Sequence, residues 1–447
     1  MRKLTVWAVA AMGFAGQVAA ADADSNDKPS APDADSGIVI LDNSPFEKLP
    51  SWIQIGGQIR GRFEGVSGTS LLNDHSDNYY ASRLRIDLGF KPTSWLRFFA
   101  EGQDARVGAY NKSPAPSTLY DPLDLRQGYV ELNFEGTDNV RFRAGRQELA
   151  FGAERLIGPA DWGISRTFDA LDLTLSAGPA KVDFIAGSAV FIDPTRFDPH
   201  KAGEHVYGAY GSIRHVLPGL NIEPYLLFKQ TLNVKSETGI LGDALVVSPG
   251  ARAYGLAPGR IDYTLEVVVE RGSYSRDDIH ALGDNAVVGW TLFNAAMKPR
   301  LSVEYNYASG DAATKDGERN TFDQFYPSNH NYYGMIDQFG WKNMKNARAG
   351  FDFLPLKKLK VRTDFNEFYL ATVQDGLYNS AGTSIVLDRK ATSAHIGSET
   401  NTVGLYQYSK VWKFGAGYGH LFAGEYLKES KAGFGYTYPY VMLLGNF

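Results

Sequence analysis

Apolar and polar residues alternate one by one along many stretches of this chain. In one clear case, one side carries Gly128, Val130, Leu132 and Phe134 and the other carries Tyr129, Glu131 and Asn133. An alternation of period two is typical of a β-strand, because the apolar positions of a helix recur every three to four residues. The pattern predicts strands with one apolar face and one polar face.

Roughly 18 such stretches follow one another from residue 52 to residue 447, most near the length of about 9–11 residues that a tilted strand needs to cross a membrane. Short connections, such as 178–179 and 258–259, alternate with long ones, such as 107–123, 153–167, 233–249, 273–283 and 309–342. This layout predicts an all-β fold, a transmembrane antiparallel β-barrel with short periplasmic turns and long extracellular loops.

The first 50 residues differ from the rest. Arg2 and Lys3 precede an apolar stretch that ends in small residues, which predicts a cleaved signal peptide at 1–20. Residues 21–50, rich in Asp, Ser and Pro, are expected to form a disordered acidic periplasmic tail, and 51–447 the barrel. No apolar run of about 20 residues follows the signal peptide, which excludes a helical membrane protein. The predicted location is the Gram-negative outer membrane.

Aromatic residues mark the expected membrane boundaries. Trp52, Trp95, Trp290 and Trp412 stand at or near predicted strand ends, where an interfacial girdle places them. The final strand ends in Phe447 after alternating apolar residues, a pattern that resembles the signal of the outer-membrane assembly machinery. Outer-membrane lipid, lipopolysaccharide and that machinery are therefore expected partners.

The polar strand faces carry many arginines. The predicted lumen wall comprises Arg60, Arg62, Arg83, Arg85, Arg97, Arg141, Arg143, Arg348 and Arg362. A barrel of about 18 strands leaves an aqueous channel, and the guanidinium fork matches a carboxylate, so an anionic solute is expected. The alternative is that acidic residues pair with these arginines across strands: Glu64, Asp87, Glu101, Glu131 and Asp352. The net charge of −5 provides no global attraction for nucleic acid.

Two groups of motifs resemble the alginate export family of Gram-negative outer-membrane proteins. The first runs from Leu125 to Leu132, continues at 145–149 and includes Arg155, Trp162 and 166–171; the second lies at 307–311, 321–324, 327–330, 333–334 and Trp341. The resemblance implies an 18-stranded monomeric barrel whose electropositive constriction passes a linear polyuronate outward. Periplasmic export partners are expected with it.

The same resemblance implies constriction residues. Arg126 and Arg146 match positions where family members place arginines in the constriction, and Asp161, Arg166 and Asp169 fall in the segment that narrows the pore. Arg155 is an addition to this set.

Two other functions stay open. An uptake porin for small anionic solutes is the closer alternative, because a passive channel has no intrinsic direction. A barrel enzyme would need a nucleophile and base at one mouth; His330, near Asp311, Asp316, Asp323 and Asp337, is the one cluster of that kind. Residues 311–317 lack the alternating ligands of a calcium loop. We therefore expect no enzyme activity, no cofactor and no metal site.

Overall fold

The computed structural model describes residues 49–68, 71, 76–111, 115–134, 139–430 and 432–447. The predicted signal peptide, and the acidic tail up to residue 48, lie outside the described residues. In the described part, no helix is long and apolar enough to cross a membrane.

Eighteen long strands make up the sheet. They are β1 (Ile53–Val66), β2 (Asp77–Phe90), β3 (Leu96–Gly108), β4 (Asp121–Asn133), β5 (Val140–Gln147), β6 (Phe168–Ala177), β7 (Ala180–Ala189), β8 (Glu204–Leu217), β9 (Leu220–Lys235), β10 (Leu241–Ala257), β11 (Ile261–Tyr274), β12 (Asp277–Thr291), β13 (Arg300–Ala308), β14 (Met344–Leu356), β15 (Leu359–Leu370), β16 (His395–Gln407), β17 (Trp412–Ala423) and β18 (Tyr436–Asn446). Short elements lie in the loops: strands Glu318–Arg319, Leu377–Tyr378 and Ser384–Val386, a 3-10 turn Asn329–Asn331 and helix Glu425–Glu429.

The sheet closes on itself. Each long strand pairs antiparallel with the next, and β1 pairs antiparallel with β18 in a register that runs from Gln58 opposite Asn446 to Glu64 opposite Tyr440. Closure leaves no free sheet edge, which a barrel in hydrocarbon requires because lipid offers no hydrogen bonds to the backbone. The predicted 18-stranded antiparallel β-barrel is confirmed.

The outer face is apolar. Leu88 and Phe134 are each 51% exposed, and their inward neighbours along the strands are buried polar residues such as Asp87 and Glu131. Four tryptophans are exposed at the short-turn end: Trp52, Trp95, Trp290 and Trp412. The alternation therefore separates a lipid-facing surface from an inner surface, as the sequence predicts.

The predictions of long loops at 233–249 and 273–283 are wrong. Residues 236–240 form a five-residue connection after Lys235, and residues 275–276 form a two-residue turn with a φ of +59° at Ser275. Backbone pairing does not require an apolar face, so strands such as β10, with 17 residues, continue through polar sequence beyond the predicted span. The prediction ended these strands where the apolar alternation ended.

Two long loops fold into the barrel instead of projecting away from it. We call residues 148–167 the first lumen loop and residues 309–343 the second lumen loop. The second contributes side chains that are fully buried, among them Phe322, Tyr333 and Trp341. A parallel β-bridge joins the two loops at Ile157 and Tyr326. The barrel interior is therefore largely filled by its own loops.

The lipid-facing side of the barrel yields a first prediction. Ile86 lies on the lipid face of β2, between the exposed Leu84 and Leu88. Ile86→Arg should lower the free energy of unfolding in lipid vesicles by about 2–4 kcal/mol, because a guanidinium near the bilayer midplane is poorly solvated. Denaturant titration of the vesicle-embedded protein measures the change.

Ser82→Arg is the matched control. Ser82 lies on the same face of β2 as Ile86, four residues nearer the long-loop end, and pairs with Arg106 of β3. The substitution should cost about 0–1 kcal/mol, the value for an interfacial charge. Equal costs for the two variants would contradict the assigned lipid face.

Candidate substrate path in the lumen

The tip of the first lumen loop is clamped to β1 and β2 by arginines. Asp161 Oδ1 and Oδ2 accept hydrogen bonds from Arg83 Nη1 and Nη2 at 2.8 and 2.9 Å, and Oδ1 also accepts one from Arg85 Nη2 at 2.6 Å. Burial alone would raise the pKa of Asp161, but Arg83 and Arg85 hold it well below its usual range. Asp161 therefore stays charged and fixes the loop against the wall.

The same tip is held through its backbone. Arg60 donates to the carbonyl oxygens of Asp161 at 2.8 Å, Trp162 at 2.9 Å and Gly163 at 2.9 Å. Arg62 lies over the Trp162 ring at 4.2 Å and pairs with the neighbouring Glu64. Side chains predicted to line an open wall are therefore engaged with the loop.

Further arginines anchor other parts of the first lumen loop. Arg126 pairs with Glu101 and Glu148 and donates to Ser165 Oγ at 2.7 Å.

Arg155 reaches the far wall, where it donates to Asn306 Oδ1 at 2.9 Å, Tyr333 Oη at 3.0 Å and Glu304 Oε1 at 2.6 Å. The first lumen loop therefore crosses the lumen between β2 and β13.

The two lumen loops interlock where they meet. Gly158 N donates to Tyr326 O at 2.9 Å, and Tyr326 N donates to Leu156 O at 2.7 Å. Next to this bridge, Ser328 Oγ donates to Glu154 Oε2 at 2.7 Å. Burial raises the pKa of Glu154 to about 8, since no cation offsets the loss of water.

A cavity of about 790 Å³ lies between the interlocked loops and the wall, on the long-loop side. Its cations are Arg60, Arg62, Arg166, Lys201 and Lys229, and its aromatic residues include Tyr79, Tyr110, Trp162, Tyr326, Tyr436 and Tyr438. The Trp162 ring stacks on His330 at 4.3 Å, and His330 pairs with Asp337. We call this space the lumen cavity.

Two cations of the lumen cavity make no ion pair with a carboxylate in the described part of the chain. Arg60 donates to the three carbonyls of the loop tip, and Arg166 donates to Gly158 O at 2.9 Å and Pro327 O at 3.3 Å. Burial lowers the pKa of Arg166 to about 10, so the side chain is still charged at neutral pH. The other cavity cations have acidic partners: Glu64, Glu204 and Asp323.

The remaining predicted wall arginines also lie on inner strand faces. Their carboxylate partners are Asp172 for Arg141 (2.9 Å), Glu131 for Arg143 (2.6 Å), Asp364 and Glu304 for Arg348 (3.0 and 3.4 Å) and Asp364 for Arg362 (3.4 Å). Arg97 instead contacts the Gln54 amide oxygen and the Phe99 ring. Most arginines of this wall therefore pair with carboxylates, largely across strands, which is the alternative that the sequence left open.

The structure corrects the expected positions of Arg146 and Asp169. Both stand on the outward side of their strands, in line with Ala144 and Leu171, and Leu171 is 51% exposed. Arg146 Nε pairs there with Asp169 Oδ1 at 2.8 Å. The predicted constriction positions followed from a family resemblance, and the strand alternation opposes them.

The sequence reasoning missed an acidic wall opposite the arginines. The inner faces of β9, β11 and β16 carry the buried carboxylates Glu223, Glu266, Glu270 and Glu399, and that of β13 carries the half-buried Glu304. The signal was present, since Glu266 and Glu304 each stand between apolar or aromatic residues in alternating strands. The lumen therefore has an arginine-rich side and a carboxylate-rich side.

Comparison with known structures supports the fold. OprD, an outer membrane protein from Pseudomonas aeruginosa, is 10% identical with a TM-score of 0.55 and coverage of 89% of this chain and 94% of that chain. OpdQ from P. aeruginosa (13% identity, TM-score 0.58, 89% and 99% coverage) and OccAB2 from Acinetobacter baumannii (8%, 0.59, 89% and 99%) share the fold.

The fold and the lumen together define an outer-membrane β-barrel channel of a Gram-negative bacterium. The sequence model of the family described as alginate export matches residues 51–434, and the chain belongs to this family. No curated protein matches the chain by sequence.

The clamp at Asp161 yields a second prediction. Asp161→Asn leaves Arg83 and Arg85 buried without their carboxylate, which costs about 3–5 kcal/mol locally. The loop tip should detach, and the single-channel conductance in planar bilayers should rise. Asp169→Asn, which removes a carboxylate from the outer side, is the control and should leave the conductance unchanged. An unchanged conductance in Asp161→Asn would show that the first lumen loop does not restrict the path.

The contact between Glu154 and Ser328 yields a third prediction. The folded-state pKa of Glu154 is raised from 4.5 to about 8, so its stabilising contribution is complete below about pH 4.5 and is lost as the pH rises to about 8. Hydrogen exchange of the Tyr326 and Ser328 amides, corrected for intrinsic rates, should therefore accelerate between about pH 5 and about pH 9.

Glu154→Gln should remove this pH dependence, because the amide stays neutral throughout the range. Glu425→Gln changes an exposed carboxylate of another loop and should retain the wild-type pH dependence. Equal protection of the Tyr326 and Ser328 amides at about pH 5 and at about pH 9 in the wild type would contradict the assignment.

Proposed function

We propose that this channel exports an anionic polysaccharide of the polyuronate type, such as alginate, through the lumen cavity. Family membership supports the substrate class and the outward direction. A uronate chain carries one carboxylate per sugar, so it requires cations that are not already neutralised along its path.

The observation that carries the proposal is the hydrogen bonding of Arg60 and Arg166. Both line the lumen cavity, and both donate to backbone carbonyls instead of carboxylates. In the described part of the chain neither makes a direct ion pair with a carboxylate, whereas most inner arginines do. A passing carboxylate would be attracted mainly to these two arginines.

Aromatic side chains complete the cavity. Tyr79, Tyr436 and Tyr438 are buried with one edge in the cavity lining. Their rings are flat apolar surfaces of the kind that packs against the apolar faces of sugar rings, while the hydroxyls of Tyr79 and Tyr438 donate to Glu64. Asp161, Arg126 and Arg155 serve as positioning residues, because they hold the loop that shapes this space.

Uptake of a small anionic solute is the second candidate. The interlocked loops leave a cavity of about 790 Å³, a size typical of a site for a single small molecule of about 300–1,000 Å³. In this alternative the loops stay closed around one solute, whereas polysaccharide export requires them to separate.

A fourth prediction tests the substrate class. Oligouronates should block the current through single channels in planar bilayers at concentrations well below those of neutral oligosaccharides or of a monomeric sugar acid. Arg166→Gln should raise the half-blocking concentration by at least about tenfold, because one charge-assisted hydrogen bond is lost. Arg166→Lys retains the charge and should preserve most of the block.

Arg106→Gln is the control with the same change in net charge, since Arg106 is exposed on the outer side and pairs with Asp104. It should leave the block unchanged. Equal block by the oligomer and by the monomeric sugar acid would favour the uptake candidate. No block by either anion would contradict the proposed function.

A further inference from the structure

Three buried aspartates meet beside the first lumen loop. Asp121 and Asp124 stand at the start of β4, and Asp198 lies in the loop of residues 190–203. Carboxylate oxygens from all three lie within 4.8 Å of one another. Their exposed fractions are 3%, 6% and 8%. We call this group the aspartate cluster.

The cluster is poorly neutralised. Arg146 Nη1 lies 3.9 Å from Asp124 Oδ1, but Arg146 also pairs with Asp169 at 2.8 Å. Arg126 and Arg166 line the same small space, yet their hydrogen bonds go elsewhere, to Glu101, Glu148 and Ser165 and to the carbonyls of Gly158 and Pro327. Three buried carboxylates therefore share one arginine at the edge of the group, an arrangement that costs several kcal/mol per unpaired ion.

The polar contacts within the cluster leave carboxylate oxygens unused. Asp124 Oδ2 accepts from Asp198 N at 2.8 Å, and Asp198 Oδ1 accepts from Asp193 N at 2.6 Å. The buried Oδ1 of Asp124, however, accepts no hydrogen bond. The Gln103 side chain lies beside Asp121 in the lining of the same small space. A buried side chain with an unused anionic oxygen points to a missing cation.

The cluster also encloses space of a suitable size. A cavity of about 10 Å³ is lined by the three aspartates and by Gln103, Ser165 and Thr167, among others. That volume is about one probe sphere, enough for a single ion or water molecule. The oxygen separations match ligands about 2.3–2.6 Å from a common centre, the range for Ca²⁺.

We propose that Asp121, Asp124 and Asp198 bind one hard divalent cation, Ca²⁺ or Mg²⁺. Oxygen-only ligands with two or three negative charges are typical of both ions. The ion ties the loop of residues 190–203 to the start of β4, next to Ser165 and Thr167 at the end of the first lumen loop. Asp198 is 74 positions from Asp124, so no motif in the sequence reveals the site.

Calorimetric titration of the EDTA-treated full-length protein, folded in detergent, tests the site with CaCl₂ and MgCl₂ in separate experiments. One ion should bind per chain, and the melting temperature should rise with the concentration of the tighter ion. Tighter binding of Ca²⁺ or of Mg²⁺ identifies the preferred ion.

Asp121→Asn should weaken binding at least tenfold and remove most of the ion-dependent rise in melting temperature. In the absence of the ion, however, the same variant should melt at a higher temperature than the wild type, because it removes one of three repelling charges. These opposite effects distinguish a cation site from a merely structural carboxylate. Asp316→Asn, at an exposed position of the second lumen loop, is the control and should bind like the wild type.

The proposal is overturned if the wild-type protein binds neither ion, or if Asp121→Asn and Asp124→Asn both bind with wild-type affinity. Heat-modifiable migration on gels shows that each variant is folded before titration, so loss of binding is not confused with loss of the barrel.

Discussion

The structure depends on the requirement that every backbone donor and acceptor in the membrane find a partner within the protein. A ring of 18 antiparallel strands, closed between β1 and β18, meets this requirement, and its pleat sends alternate side chains to lipid and to the interior. The inner surface can then hold many charged groups, provided that they are solvated or paired. In this barrel they are mostly paired, both across strands and with the two lumen loops.

The pairing decides the form of the path. Arg83 and Arg85 form ion pairs with Asp161, and Arg155 forms one with Glu304. These arginines therefore hold the lumen loops in place and are not available to a solute. The lumen cavity is what this packing leaves. Among its described cations, Arg60 and Arg166 are the two whose hydrogen bonds go to carbonyl oxygens and not to a carboxylate. In the proposed function, selectivity therefore rests on a few cations and not on the total number of arginines in the wall.

The sequence predicted the barrel well because alternation is a local property of each strand. It could not predict the lumen loops, because their contacts join distant residues: Arg60 and Asp161 are 101 positions apart, and Arg155 and Tyr333 are 178 apart. The outward position of Arg146 could have been found, since it shares the parity of Ala144. The family resemblance places Arg146 in the constriction, whereas the strand alternation places it on the outward side.

The central claim is that Arg60 and Arg166 make the lumen cavity attractive to anions. The reversal potential of the wild-type channel in a KCl gradient across a planar bilayer tests it most directly. The account predicts a sign that corresponds to preferential passage of Cl⁻. A potential with the sign of K⁺ preference would show that the carboxylate-rich wall controls the path, and would contradict the assignment of Arg60 and Arg166.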